Sequence, residues 1–385
     1  MYNYIIIMNY YIIPTNHINV NINMQLTNAV LEPQISYSLI FYMNHIYEQL
    51  IQLQDTKDEM VTINFVNKIV NPFEFIYTNV PGSTISVSKV KPDDIIFFEL
   101  MEIFQAFNIS DELSFNHTIH IAHFTHNYTS TNYLLNMLRE ENEDTAISEA
   151  FHFDKIYNLF IRQSYKHKLD LIICEFYPND YTDTKQYIYN IILVLLLISK
   201  YQIKHGMSII KIDNIFYKPI IDVIFILSSL YDKMYLIKPS ISNITTTERY
   251  LICKGFNARL KYSQLTNIET HLTNYIINNK LHDNIVNSVI DNELPYYLLN
   301  KLNESNLVIG QQQIEAYDQI IHIFKNKNRE ERIENLKKSH IQKCIQWCEK
   351  NQLPHNKFID KVNIFLTSKQ KAIENGIMPE NAPNY

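Results

Sequence analysis

Between Lys168 and Phe256 the chain alternates short, almost wholly apolar runs with longer stretches of helical period, and this restricts the fold more than any other feature. KLDLIICEF, a long apolar helix, MSIIKIDNIF and YDKMYLIKPSISNITTTERYLICKGF follow one another. Short runs rich in Ile, Leu and Val read as buried strands, and strands separated by helices predict a parallel sheet in an α/β fold. Ligands of open α/β sheets gather at the carboxyl ends of the strands. Glu175 stands at the end of the first run, Lys211 near the end of the second, and Glu248 immediately ahead of the last. The spacing therefore predicts a polar site built from Lys211, Glu175 and Glu248.

A chain of 385 residues can bury a substantial core without covalent staples. The four cysteines, Cys174, Cys253, Cys344 and Cys348, are too few and too scattered for a secreted disulfide framework. No charged-then-apolar leader opens the sequence, so an intracellular protein is expected. The apolar run from Ile188 to Ser199 is shorter than the roughly 20 residues that cross a bilayer, and it reads as a core helix with no membrane role. The net charge of -6 supplies no global basic field for nucleic acid, so any RNA contact must be local. Glycine is scarce, with five residues, and no two are close enough to form a Gly-rich ligand loop.

Three blocks are expected along the chain: an N-terminal extension over 1–90, a central domain over 91–260 and a helical region over 261–385. Residues 1 to about 30, rich in Asn, Ile and Tyr without a clear period, predict a poorly ordered tail. A helix is predicted over Gln34 to Gln54, then strand-like segments at Met60 to Val70 and Glu74 to Thr78. Ser83 to Val90 alternates like an exposed strand. Asp93 and Asp94 open a helix, IIFFELMEIFQAF, with acids where the helix dipole favours them. From His117 the order is strand, loop (THNYTST) and helix, the first β-loop-α unit and the place of a cofactor loop. Beyond Phe256 the alternation stops, and the rest reads as helical, including a polar stretch from Gln311 to Glu349.

Over Lys91 to Phe256 the sequence resembles the FtsJ-like RNA ribose 2′-O-methyltransferases, in the variant found in large cytoplasmic DNA viruses. The resemblance rests on a lysine-bearing strand (SIIKI), the helix after it, a strand ending in Lys238–Pro239, and a Glu-x-Tyr strand at Glu248. It implies a doubly wound, Rossmann-like methyltransferase sheet, S-adenosylmethionine as cofactor, and RNA, at or near an mRNA cap, as substrate. It also implies action in the cytoplasm of an infected host cell or in the virion. The family's catalytic set is Lys, Asp, Lys, Glu. Lys211 matches the second lysine, Glu248 the glutamate, and Glu175 takes the place of the aspartate. The first lysine is replaced by Glu99, and the cofactor loop, His123 to Thr131, holds no glycine. His123 and Asn127 are the cofactor-binding candidates in that loop, Asn127 because asparagine tolerates a left-handed backbone. Phe124, His126 and Tyr128 are expected to fill space that a cofactor needs.

A ribose 2′-hydroxyl must lose its proton as its oxygen attacks the sulfonium methyl group. A lysine serving as base has to be neutral, which desolvation or a neighbouring cation achieves and neighbouring carboxylates oppose. With Glu99 where a lysine is expected, two readings stand: an active enzyme with a rebuilt cofactor loop, and an inactive pseudo-methyltransferase serving as an RNA-binding or assembly subunit beside a viral partner protein. Lys211 reads either as a site lysine or as an ordinary ion pair, and Glu248 either as a site residue or as part of a turn. Lys238, with Lys204, Lys218 and Lys233, is a candidate phosphate contact or a solvated charge. The alternating His117, His120, His123 and His126 lack a further ligand at fixed spacing, and His340, Cys344, Trp347 and Cys348 read as one packed helix face, so no metal is expected.

Overall fold

The computed structural model describes residues 10–17, 20–54, 63–114, 118–125, 128–139, 145–149, 168–176, 183–257, 262–278, 284–325 and 330–356. The chain forms two compact units, Met1–Met43, Ala106–Pro239 and Thr247–Gln311 in the first, and Asn44–Gln105, Ser240–Thr246 and Gln312–Tyr385 in the second. They interleave along the chain, where the sequence reading draws consecutive blocks.

The first unit is mixed α/β, compatible with a Rossmann-like fold. Its strands are β1 (Tyr10–Ile13), β2 (Ile22–Thr27), β3 (His120–Phe124), β4 (Thr145–Glu149), β5 (Leu169–Cys174), β6 (Gln202–Ile212), β7 (Tyr231–Ile237), β8 (Arg249–Phe256) and β9 (Ile285–Ile290). Seven of them make one sheet in the order β1-β7-β8-β6-β5-β3-β4. β4, β3, β5 and β6 are mutually parallel, and β8 is antiparallel to both β6 and β7, so β7 runs with the parallel set and β1 against it. β5 buries side chains of both parities, Leu171 and Ile173 on one side and Ile172 and Cys174 on the other, as a central parallel strand does.

Helices flank the sheet: α4 (Ile109–Ser114), α5 (Tyr128–Arg139), α6 (Thr184–Tyr201), α7 (Lys218–Leu230) and α8 (Tyr262–Asn278), after α1 (Tyr37–Gln54), α2 (Ile63–Val70) and α3 (Ile96–Ala106) earlier in the chain. α6 opens on Asp183, whose carboxylate accepts from the backbone N–H of Lys185 at 3.0 Å and Gln186 at 3.2 Å, satisfying two of the helix's orphan donors. Its apolar residues are buried nearly all round, so the run Ile188 to Ser199 is a core helix. Among the described residues no helix is long and apolar enough to cross a membrane. β2 and β9 form a separate antiparallel pair, and Asp222 of α7 accepts hydrogen bonds from β9.

The second unit contains α2, most of α3, a one-turn 3-10 helix at Glu74–Ile76, part of α9 (Tyr296–Lys325) and α10 (Glu330–Lys350). Leu50, Val66, Val70, Ala316, Ile320, Ile321 and Phe324 make one core cluster. Cys344, Trp347 and Cys348 lie buried on α10. Glu102, 4% exposed, accepts from the backbone N–H of Ser240 and Ile241, from the Ser240 hydroxyl and from the Trp347 indole.

Several sequence expectations change. The tail contains two strands: β1 buries Tyr11 and Ile13 in alternation and pairs with β7 from Tyr10↔Ile237 to Ile13↔Met234. Ile63–Val70 is helical, because Val66, Ile69 and Val70 recur at helical spacing and are buried together. Glu74 turns the next segment into a 3-10 helix, its carboxylate accepting from Asn71 and Tyr77. Ser83 to Val90 makes a single bridge, Ser88↔His355, and Ser86, Val87 and Ser88 are buried. β9 places a strand inside the stretch expected to be helical, and the polar stretch after Gln311 is divided between α9 and α10.

Candidate functional site

The chain leaves β3 for β4 on one side and returns to β5 on the other, so the ends of β3 and β5 flank a topological switch point, where open α/β sheets hold ligands. Register identifies what stands at that edge. Phe124 pairs with Cys174, Cys174 with Ile210, and Lys211 with Tyr250. One residue further on, Thr125, Glu175 and Lys211 are therefore level with Tyr250, and the bond from the Glu175 N–H to the Phe124 carbonyl at 2.7 Å continues the ladder. Side chains alternate between faces along a strand, so these four form one polar row on one face of the sheet.

Within the row the contacts are specific. Lys211, 8% exposed, places Nζ 3.6 Å from Oε2 of Glu248 and 5.6 Å from the centroid of the Tyr250 ring, inside the range of a cation–π contact. The Tyr250 hydroxyl donates to Oε1 of Glu175 at 2.7 Å, and both residues are fully buried. Lys211, Glu175 and Glu248 thus belong to one cluster: Glu248 meets Lys211 directly, and Tyr250 touches both Lys211 and Glu175. Burial and the Glu175 charge push the neighbouring Cys174 thiol far above its usual range, so it is a neutral packing group.

Glu248 reaches the cluster because β8 is antiparallel. Its first residues lie beside the carboxyl end of β6, with Arg249 opposite Ile212. The approach is braced by Arg249, 1% exposed, which donates to Asn306 Oδ1 at 2.8 Å and to the Thr247 carbonyl at 3.0 Å. Burial lowers the guanidinium to about 10 while Asp213 opposes the shift, so it stays charged at neutral pH. Asp213 accepts from the Thr247 hydroxyl, and its N–H donates to the Tyr187 hydroxyl at 3.0 Å. Lys238 donates to the Glu248 carbonyl at 3.1 Å, which makes it a neighbour of the cluster. The other lysines do not join it: Lys218 pairs with Asp222, and Lys204 and Lys233 are exposed.

The cofactor-loop candidates fall out differently. Phe124 packs in the main core with Ala122, Ile172 and Cys174, on the face opposite the polar row, which removes its share of the expected obstruction, and Tyr128 is 44% exposed. α5 begins at Tyr128, so the second half of the expected loop is already helical. Asn127 and His126 lie outside the described residues. Thr125 at the end of β3 and Thr131 in the first turns of α5 are fully buried, and their hydroxyl oxygens have no hydrogen-bond partner among the described residues. Glu99 is buried in α3 of the second unit. Among the described residues no group of three or more His, Cys, Asp and Glu is placed to hold a metal ion.

His123 is fully buried inside β3, and burial lowers it to about 3, so its ring is neutral. Burial and Lys343 lower His340 to about 4. Both folded values lie below the ordinary 6.5, so below that pH the unfolded chain takes up protons that the folded chain refuses. The histidine share of the stability is therefore expected to be constant above about pH 7 and to fall as pH drops below about 6.5, by about 1.4 kcal/mol per unit for each histidine. Urea melts at pH 7, 6 and 5 check this, and His123→Phe should flatten the decline. An equal slope in the variant counts against the assignment of this share to His123.

Sequence reasoning did not assign Tyr250, Asp213 or Arg249 to the site. The available signal was parity: Tyr250 lies two residues beyond Glu248 and so on the same face of the strand. No protein-family model matches this chain, and no curated protein matches it.

Proposed function

We propose that this chain is an RNA ribose 2′-O-methyltransferase-like protein, with S-adenosylmethionine as cofactor and RNA, at or near an mRNA cap, as substrate. The observation that carries the reading is the cluster at the carboxyl edge of the sheet, Lys211 3.6 Å from Glu248 with Glu175 level on the next strand. The mostly parallel sheet with helices around it supports a doubly wound methyltransferase arrangement, and the switch point is where such a sheet takes a nucleotide-like ligand.

The cofactor has support in the buried hydroxyls of Thr125 and Thr131, which have no hydrogen-bond partner among the described residues, and in the inward turn of Phe124. When bound, S-adenosylmethionine supplies an electrophilic methyl group. Lys211 would then hydrogen-bond the ribose hydroxyl, with Glu248 3.6 Å away to fix its direction and Glu175, held by Tyr250, as the second carboxylate. Lys238 offers an adjacent cation for an RNA phosphate.

A second reading, an inactive pseudo-methyltransferase acting as an RNA-binding or assembly subunit with a viral partner, is favoured by the surroundings of Lys211. The Glu248 carboxylate and the Tyr250 ring face both stabilise an ammonium, the protonation state that cannot act as base.

Calorimetry with S-adenosylmethionine and its demethylated product, paired with methyl transfer to capped RNA, tests the two together. The enzyme reading expects micromolar binding and transfer that Lys211→Ala lowers at least about a hundredfold. Absent cofactor binding, with RNA or a partner protein still retained, leaves the second reading.

A further inference from the structure

We propose that Tyr250 is a positioning residue of this cluster: its hydroxyl clamps the Glu175 carboxylate while the face of its ring seats the Lys211 ammonium. The catalytic meaning rests on the enzyme reading above; the clamp itself does not.

The geometry behind it is local. Lys211 and Tyr250 are direct cross-strand partners, so their side chains leave the sheet on the same face from adjacent strands. The Tyr250 ring extends beneath Lys211, with Nζ 5.6 Å from its centroid, and its hydroxyl arrives 2.7 Å from Oε1 of Glu175, on the far side of β6. Tyr250 is fully buried, as is Glu175, so neither group exchanges this contact for water. A phenol donating to a buried carboxylate stabilises the charged form. A ring face under an ammonium stabilises that charge as well, without the directional demand of a hydrogen bond. One side chain therefore sets the position of two oppositely charged groups that the sheet register alone leaves to their own rotamers. Phenylalanine can reproduce the second function and not the first, and leucine neither.

The test uses the full-length protein carrying 13C-carboxyl glutamate, with the Glu175 signal identified by its loss in Glu175→Gln, and 13C-methylated lysines, with Lys211 identified by Lys211→Arg. In Tyr250→Phe the Glu175 titration midpoint should move upward while that of Lys211 stays in place; in Tyr250→Leu the Lys211 midpoint should fall as well. An unchanged Glu175 midpoint in Tyr250→Phe, or an unchanged Lys211 midpoint in Tyr250→Leu, overturns the proposal. Should Tyr250→Phe fail to fold, pairing it with Glu175→Gln removes the charge that lost its donor: recovery of folding supports the clamp, and continued failure refutes it. If the wild-type protein methylates RNA, Tyr250→Phe should lower kcat about tenfold with KM within about twofold, and a change in KM alone counts against positioning. If the wild-type protein binds no cofactor, the enzyme reading falls and the titrations still decide the clamp.

Discussion

Replacing Asp222 with alanine should cost the protein about 2–4 kcal/mol, the cost of orphaning several buried hydrogen-bond donors at once. Asp222 is fully buried in α7 and gathers four partners. Lys218, one turn earlier, donates to both carboxylate oxygens at 2.8 and 3.0 Å. On β9 the Ser288 hydroxyl donates at 3.1 Å and the backbone N–H groups of Val289 and Ile290 at 2.8 and 3.4 Å. Alanine leaves two backbone donors and the buried Ser288 hydroxyl without this acceptor, and each orphaned group carries its own desolvation cost, while Lys218, whose side chain is 31% exposed, can turn to solvent. Because β9 pairs with β2, the loss should spread to both strands, with early hydrogen exchange over Ile22–Thr27 and Ile285–Ile290. Asp222→Asn keeps an acceptor for the β9 amides and should fall between wild type and alanine. Urea denaturation decides it: a loss below about 1 kcal/mol for alanine rejects this account.

Glu102→Ala should have an effect of similar size in the second unit, about 2–4 kcal/mol, because several buried neutral donors lose their acceptor together. Oε1 accepts from the Ser240 N–H at 3.1 Å and from the Ser240 hydroxyl, and Oε2 accepts from the Ile241 N–H and the Trp347 indole, both at 3.2 Å. Burial pushes the carboxyl above its usual range and these donors pull it back. Each oxygen faces donors only. Glutamine therefore cannot substitute quietly, since either orientation of its amide turns an NH2 group toward donors, and about 1–3 kcal/mol should be lost. Trp347 is the only tryptophan, and it also meets the Phe98 ring edge-on at 6.0 Å, so its fluorescence reports on this contact directly. The expected result for Glu102→Ala is a red-shifted emission and a lower urea midpoint; unchanged emission with an unchanged midpoint counts against this role of Glu102.

The strands easiest to read from sequence were those buried on both sides. β5, β6 and β8 each carry a short run of Ile and Leu, LIIC, SIIKI and LIC, and α6 and α7 have enough length to be told from strands. Ile63–Val70 was misread because eight residues of mixed apolar character fit either period, and burial of Val66 and Val70 in the unit-two core, with Ile69 buried beside them in sequence, decides for helix. β1, β2 and β9 are four to six residues long and take their identity from partners more than 200 residues away, information that no local window contains. The site was legible to the same degree. Lys211, Glu175 and Glu248 follow from strand ends, whereas the part played by Tyr250 needs the direction of β8 and its register with β6, which alternation of strands and helices leaves undetermined.

The pairing of the earliest strands with much later ones has a consequence for synthesis on the ribosome. β1 waits for Met234–Ile237 and β2 for Ile285–Ile290 before either has a partner. At about 5–20 residues per second that is a delay on the order of tens of seconds. During it Tyr10 and Ile12, still more than half exposed in the finished fold, sit on a short β-prone segment with open hydrogen-bonding edges. β1 and β2 therefore stay without partners while more than 200 further residues are made, and the sheet gains its β1 edge only after β7 has emerged.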